Sequence, residues 1–319
     1  MTTPPPPYPP QGPVGPPQGP SGYPVQPTQT CSWHPDRTTG LGCARCGRPA
    51  CPECLTPASV GFHCRACVAE AQSTQRAPRT VAGGKLGQRP LVSMVLIGIN
   101  LAFFAVTALQ AKSVMELRPS SLYVHGGLIP AEVASGEFWR LLTAGFLHEH
   151  LIHLATNMIS LFILGMPLER ILGRGRFITI YLLSLLGSSV SVMLFSPEFV
   201  ITIGASGAIY GLMGALVVTF KRLGFDLRQL LVVVALNVYI TFNVAGISWQ
   251  GHLGGFVVGA VIGAAMVYPP QRVRREWLWG SVIGVSIVLV ALLIVRDAQI
   301  GEWYCTYDAL GGGGCVPAH

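Results

Sequence analysis

Charge is the scarcest resource in this sequence. Only 11% of its 319 residues are Asp, Glu, Lys or Arg, while 50% are hydrophobic. That is too few charges to coat a soluble globule of this size, so a membrane protein becomes the default. The apolar residues also cluster in runs of roughly 17 to 22, the length needed to cross ~30 Å of hydrocarbon. No secretory signal is expected either. Residues 1–30 are rich in Pro, with Gly, Gln and one Ser and no apolar stretch, so the N-terminus is expected to stay in the cytoplasm. This segment cannot bury a core and reads as a disordered, polyproline-rich tail, either a spacer or a ligand for a proline-recognising partner. The net charge of +7 does not imply nucleic acid as a partner. From residue 85 onward, Lys and Arg sit mainly in short loops between apolar runs, which is a topology signal.

The runs place seven spans at residues 91–110, 151–167, 176–196, 203–220, 228–246, 250–268 and 277–296. Basic residues precede the first span (Arg76, Arg79, Lys85, Arg89) and fill alternate loops: Arg170, Arg174 and Arg176; Lys221, Arg222 and Arg228; Arg272, Arg274 and Arg275. Those segments are expected to face the cytoplasm of a cell whose plasma membrane holds the chain. The C-terminal tail, 297–319, then lies outside, where an oxidising environment favours a disulfide between Cys305 and Cys315.

The other seven cysteines lie between Cys31 and Cys67. They read Cys31-x2-His34, Cys43-x2-Cys46, Cys51-x2-Cys54 and Cys64-x2-Cys67. Four close pairs of soft ligands make two tetrahedral sites, and thiolate with imidazole suits zinc better than a hard cation. The pattern resembles a B-box-like or other treble-clef zinc module with interleaved pairs. That resemblance implies one structural Zn2+ on Cys31, His34, Cys51 and Cys54 and a second on Cys43, Cys46, Cys64 and Cys67, with His63 an alternative to Cys64. A module of residues 31–70 has little other core, so the metal must supply its stability. A basic linker over 71–90 follows.

Polar groups inside a span are costly and tend to be functional. Span two opens with His148, His150, His153 and Asn157; span four holds Gly204-Ala205-Ser206-Gly207; span six holds His252 in a glycine-rich run. The even spans run in one direction, so their first turns share a level. Ser206 lies ~22 Å above Lys221, His252 ~24 Å above Tyr268, and Asn157 and His153 ~20 and ~25 Å above Arg170. A serine becomes a nucleophile when imidazole takes its proton. His153 and Asn157, one turn apart, are candidate donors to an oxyanion, with the Ser206 backbone N–H as a third. Glycines at 207, 211 and 214, and at 251, 255, 259 and 263, form two stripes that let these helices approach closely. Histidines holding a metal for transport would call for acidic carriers across the midplane, and spans four and six contain no Asp or Glu.

Five motifs together carry a resemblance to the rhomboid family of intramembrane serine proteases over residues 91–296: Gly204-x-Ser206-Gly207; His252-x2-Gly255-x3-Gly259; His148-x4-His153-x3-Asn157; Trp139-Arg140; and Gly165-x3-Glu169-x3-Gly173. The resemblance implies an all-α polytopic fold, with a six-helix core and one added C-terminal transmembrane helix. It implies a Ser206–His252 dyad without an acidic third member and with no cofactor for catalysis, Tyr210 packed on the His252 ring, and Gly204 and His148 in support. The expected substrates are transmembrane proteins in the lipid bilayer, entering between spans two and five. The zinc module would recruit a cytoplasmic protein partner or regulate access. The rival reading is a catalytically silent chaperone or a zinc-responsive scaffold. Glu169 and Arg170 read as an interfacial ion pair, and His150 as an interfacial residue.

Overall fold

The computed structural model describes residues 29–74, 80, 89–301, 303–307 and 313–317. The expected Pro-rich tail, apart from its last two residues, and nearly all of the linker after residue 74 lie outside the described residues. The chain divides into two compact units near residue 76.

The first unit is small. Strands β1 (Gln29–Cys31) and β2 (His34–Thr39) pair antiparallel, as do β3 (Leu55–Pro57) and β4 (Phe62–Cys64), and helix α1 (Arg65–Thr74) follows. Its two buried clusters are built almost wholly of cysteines. Cys31, Ala50, Cys51 and Cys54 form one and Cys43, Cys64 and Cys67 the other, with Trp33 and Leu55 packed against both.

The second unit is helical, and each expected span falls on a helix. α2 is Leu91–Ala111. Short helices α3 (Ser121–Gly126), α4 (Pro130–Ala134) and α5 (Arg140–Thr143) fill the long connection after it. α6 (Leu151–Ser160) continues through a wider π turn, Leu161–Gly165, into α7 (Met166–Leu172). Pro167 has no N–H for the regular ladder, and the widened turn accommodates the missing bond. α8 (Arg174–Phe195), α9 (Ser206–Leu223), α10 (Arg228–Asn243), α11 (Trp249–Val267) and α12 (Arg274–Ile300) complete the set. Strands β5 (Trp303–Tyr307) and β6 (Gly313–Pro317) close a hairpin whose register sets Cys305 opposite Cys315. The side chains that a disulfide would join lie outside the described residues.

Among the described residues, five helices are long and apolar enough to cross a membrane: α2, the α6–α7 span, α8, α11 and α12. α9 carries glycines and Lys221 and Arg222, which dilute its apolarity, and most of its residues are buried against protein. It can therefore be less apolar than a lipid-facing helix. α10 has 16 residues, about 24 Å of helix. The apolar window of α12 is 0% buried, as expected of a helix that is apolar all round and meets lipid.

Several boundaries differ from expectation: the α6–α7 span runs on to Leu172 instead of 167, and α12 covers Arg274–Ile300 instead of 277–296. α9 begins at Ser206 instead of 203, because Leu128 pairs with Thr202 in a β-bridge and Gly204 takes a φ of +122°. α10 ends at Asn243, ahead of a turn in which Gly246 has a φ of +83°.

Candidate active site

The two glycine stripes interlock. α9 and α11 form the most extensive helix pair among the described residues, with α8 packed on both. A Cβ on Gly255 would overlap the Gly207 carbonyl oxygen, one on Gly259 the Gly211 carbonyl oxygen, and one on Gly214 the Phe256 carbonyl oxygen. On the α8 side, Ser184 and Ser188 fill the space beside Gly211 and Gly207. Small residues thus let three backbones meet directly.

That approach joins Ser206, at the first turn of α9, to His252, in the first turn of α11: Ser206 Oγ lies 2.9 Å from His252 Nε2. The His252 ring stacks on Tyr210 with centroids 3.9 Å apart and planes 12° from parallel, the packing that the family resemblance implies. His252 Nδ1 lies 2.9 Å from Thr241 Oγ1 on α10. The Tyr210 hydroxyl lies 2.6 Å from the same oxygen and donates to the Asn237 carbonyl at 2.8 Å. Thr241 was not singled out by the sequence. Its only signal there is a hydroxyl within an apolar run.

α6 supplies the next layer. His150 caps the helix, its Nδ1 accepting the His153 backbone N–H at 3.1 Å; it has a structural duty that the sequence did not indicate. His153 Nε2 is close enough to Gly204 that a Cβ there would lie 2.9 Å from it and 3.6 Å from Ser206 Oγ. Asn157, one turn further, is buried, and its amide nitrogen has no hydrogen-bond partner among the described residues. His148 is buried edge-on against His153, with ring centroids 5.1 Å apart. Gly204 itself is held by its N–H bond to the Ala144 carbonyl at 2.9 Å. The first N–H groups of α9, starting with that of Ser206, have no partner within the helix.

Two further motifs brace this frame. Arg140, 1% exposed, donates to Glu137 Oε2 at 2.6 Å and to the carbonyls of Val124 and Gly127 at 2.7 Å each, pinning the connection between α2 and α6. Trp139 Nε1 donates to the His125 carbonyl at 3.1 Å. Glu169 does not pair with Arg170 as the sequence suggested. Its buried carboxylate accepts the backbone N–H groups of Val92 and Ser93 at 3.0 and 2.8 Å and the Ser93 hydroxyl at 2.7 Å. It caps α2, where the helix dipole favours an anion.

In the first unit, two clusters can each hold a metal ion: Cys31, His34, Cys51 and Cys54, and Cys43, Cys46, Cys64 and Cys67, the ligand atoms of each lying within 4.8 Å of one another. The interleaved pairing expected from the resemblance is the one found, and Cys64, not His63, completes the second set. His34 Nδ1 lies 3.3, 3.4 and 3.9 Å from the sulfurs of Cys51, Cys54 and Cys31, and Cys46 lies 3.7 Å from Cys64. A tetrahedron with ~2.3 Å arms has edges of about 3.8 Å, so these donors fit. The Cys64 N–H bonded to Cys43 Sγ at 3.2 Å leads the effects that bring the Cys43 thiol down to about 6. The hydrogen bond with Cys46, with burial next, pushes Cys67 up to about 12. Crowded thiolates repel one another, and a divalent cation among them would relieve that cost.

Fold and site together define a multi-pass membrane protein in which a serine and a histidine meet between closely packed helices. A family model described as the Rhomboid domain matches residues 135–269, which contain Ser206, His252, His153, Asn157 and Glu169. The chain is 31% identical to "Rhomboid protease GluP" of Bacillus subtilis over 65% of its own length and 40% of that protein. It is 27% identical to "Rhomboid protease AarA" of Providencia stuartii over 64% of its length and 81% of that protein. It is 30% identical to "Putative rhomboid protease YdcA" of Bacillus subtilis over 57% of its length and 92% of that protein. This chain belongs to the rhomboid family. It spans less than half of GluP.

Proposed function

We propose that this protein is an intramembrane serine endopeptidase that hydrolyses peptide bonds in or near transmembrane segments of other membrane proteins. The observation that carries this reading is the 2.9 Å contact between Ser206 Oγ and His252 Nε2, set in a rhomboid frame. In the first step Ser206 Oγ bonds to the scissile carbonyl carbon as its proton passes to His252 Nε2. The ring then hands that proton to the departing amine as the peptide bond breaks. Water, deprotonated by the same nitrogen, releases the acyl group. The negative oxygen formed in each step meets the Ser206 N–H, His153 Nε2 and the unpartnered amide of Asn157. The substrate helix must unwind locally, because a helical carbonyl is already hydrogen-bonded.

The names of GluP and AarA as proteases support this reading. Alternating basic loops support an N-terminus in the cytoplasm of a cell with this protein in its plasma membrane, with the C-terminus outside. Zinc is the metal that the four-sulfur and three-sulfur-plus-imidazole sets favour. Its duty is structural, holding a module that recruits a cytoplasmic partner or regulates access.

Labelling by a fluorescent fluorophosphonate, and cleavage of single-span membrane proteins in vesicles, test the reading directly. Both are expected from the native chain and neither from Ser206→Ala. Equal labelling and cleavage of the two would overturn it.

A further inference from the structure

We infer that Thr241 is a positioning residue for the reaction, holding His252 in the tautomer that can act as a base. The inference rests on the Ser206–His252 reading above and deepens it. To take a proton from Ser206, Nε2 must be bare, so the ring's own proton must sit on Nδ1. What Nδ1 bonds to decides this. Its partner is Thr241 Oγ1 at 2.9 Å. A threonine hydroxyl has one proton and two lone pairs. Here the proton has an acceptor within its own helix, the Asn237 carbonyl at 2.8 Å, leaving the lone pairs to receive Nδ1–H. The Tyr210 hydroxyl reaches both Asn237 O and Thr241 Oγ1, so every donor in the cluster finds an acceptor. When the ring gains its second proton, the same bond becomes charge-assisted.

A carboxylate usually fills the place of the group that orients a catalytic base. A neutral hydroxyl does so here at lower cost, since an ionised carboxylate inside hydrocarbon would need a partner of its own. The burial of α10 points the same way. Of its sixteen residues only Leu230 and Thr241 are buried, while Leu236, Tyr239 and Phe242 are exposed. One of its two buried side chains is thus the one bonded to His252.

The test is the kinetics of inactivation by a fluorophosphonate, with the full chain in lipid vesicles. In that step the Ser206 O–P bond forms, the P–F bond breaks, fluoride leaves and the serine proton goes to His252. Thr241→Val keeps the shape without the hydroxyl, Thr241→Ala removes the hydroxyl without crowding, and Thr241→Ser keeps the hydroxyl. The limiting inactivation rate of the Val and Ala variants is expected to fall roughly 10- to 100-fold. The half-saturating probe concentration should stay within about twofold, and the Ser variant should recover the rate to within a few-fold. A native rate in Thr241→Val, a loss confined to half-saturation, or equal impairment of Ser and Val would overturn the inference. Ser206→Ala runs alongside. If it is still labelled, the protease reading itself fails; if it is silent while Thr241→Val reacts normally, only the role of Thr241 fails.

Discussion

A Cβ at position 204 would lie 2.9 Å from His153 Nε2 and 3.6 Å from Ser206 Oγ, on a backbone whose φ of +122° is open essentially to glycine. Gly204→Ala is therefore expected to cut fluorophosphonate labelling by about 100-fold or more, since a 1 Å misplacement at a reacting centre can cost that much. The helices, anchored elsewhere, should keep their thermal stability within about 1–2 kcal/mol. Labelling at the native rate would show that the turn tolerates a side chain. Glycine, serine and histidine at this site were legible in the sequence because each is an unusual residue in an apolar run with a motif around it. Thr241 was not. A threonine in an apolar helix commonly bonds its own i−4 carbonyl, as Thr241 does to Asn237. The same letter appears whether or not a histidine from the next helix also reaches the oxygen.

Among the helices, α2 shows how one acidic residue can organise a span. Glu169 reaches two N–H groups and a hydroxyl at the start of α2, 76 and 77 positions away in the chain. Hydrogen bonds to a charged group contribute about 1.5–3 kcal/mol, and the buried N–H groups would be stranded without it. Glu169→Gln keeps one acceptor and loses the charge, so it should lower stability by about 2 kcal/mol, seen as a fall in Tm. The fraction of folded enzyme labelled by the probe should barely change, because the carboxylate touches neither Ser206 nor His252. An unchanged Tm would mean that α2 is capped by other means. The existence of each span was readable from its apolar run. The start of α9 was not, because the residues before Ser206 are as apolar as those of a helix. What stops the helix is a β-bridge from Leu128, more than 70 positions earlier, together with the conformation of Gly204.

For the whole molecule, the division near residue 76 separates two kinds of stability. The membrane unit is held by glycine-to-carbonyl helix packing and by lipid around its apolar faces. The first unit has two small clusters in which cysteine sulfurs take most of the buried space, and so few apolar side chains cannot offset the entropy of ordering that segment. A metal ion held by each cluster would supply most of its folding free energy. Stripping the metal with a chelator, or replacing Cys51 with Ser, is therefore expected to abolish hydrogen-exchange protection across residues 29–74. The rate at which a small fluorophosphonate labels Ser206 in the same vesicles should stay within about twofold, since the groups around the serine all come from the second unit. Adding back zinc should restore protection after chelation, and should do so poorly in Cys51→Ser. Protection that survives chelation would show that the cysteine clusters fold without an ion. Labelling that falls with the loss of metal would show that the module reaches the chemistry itself, and the control assigned to it would then be direct.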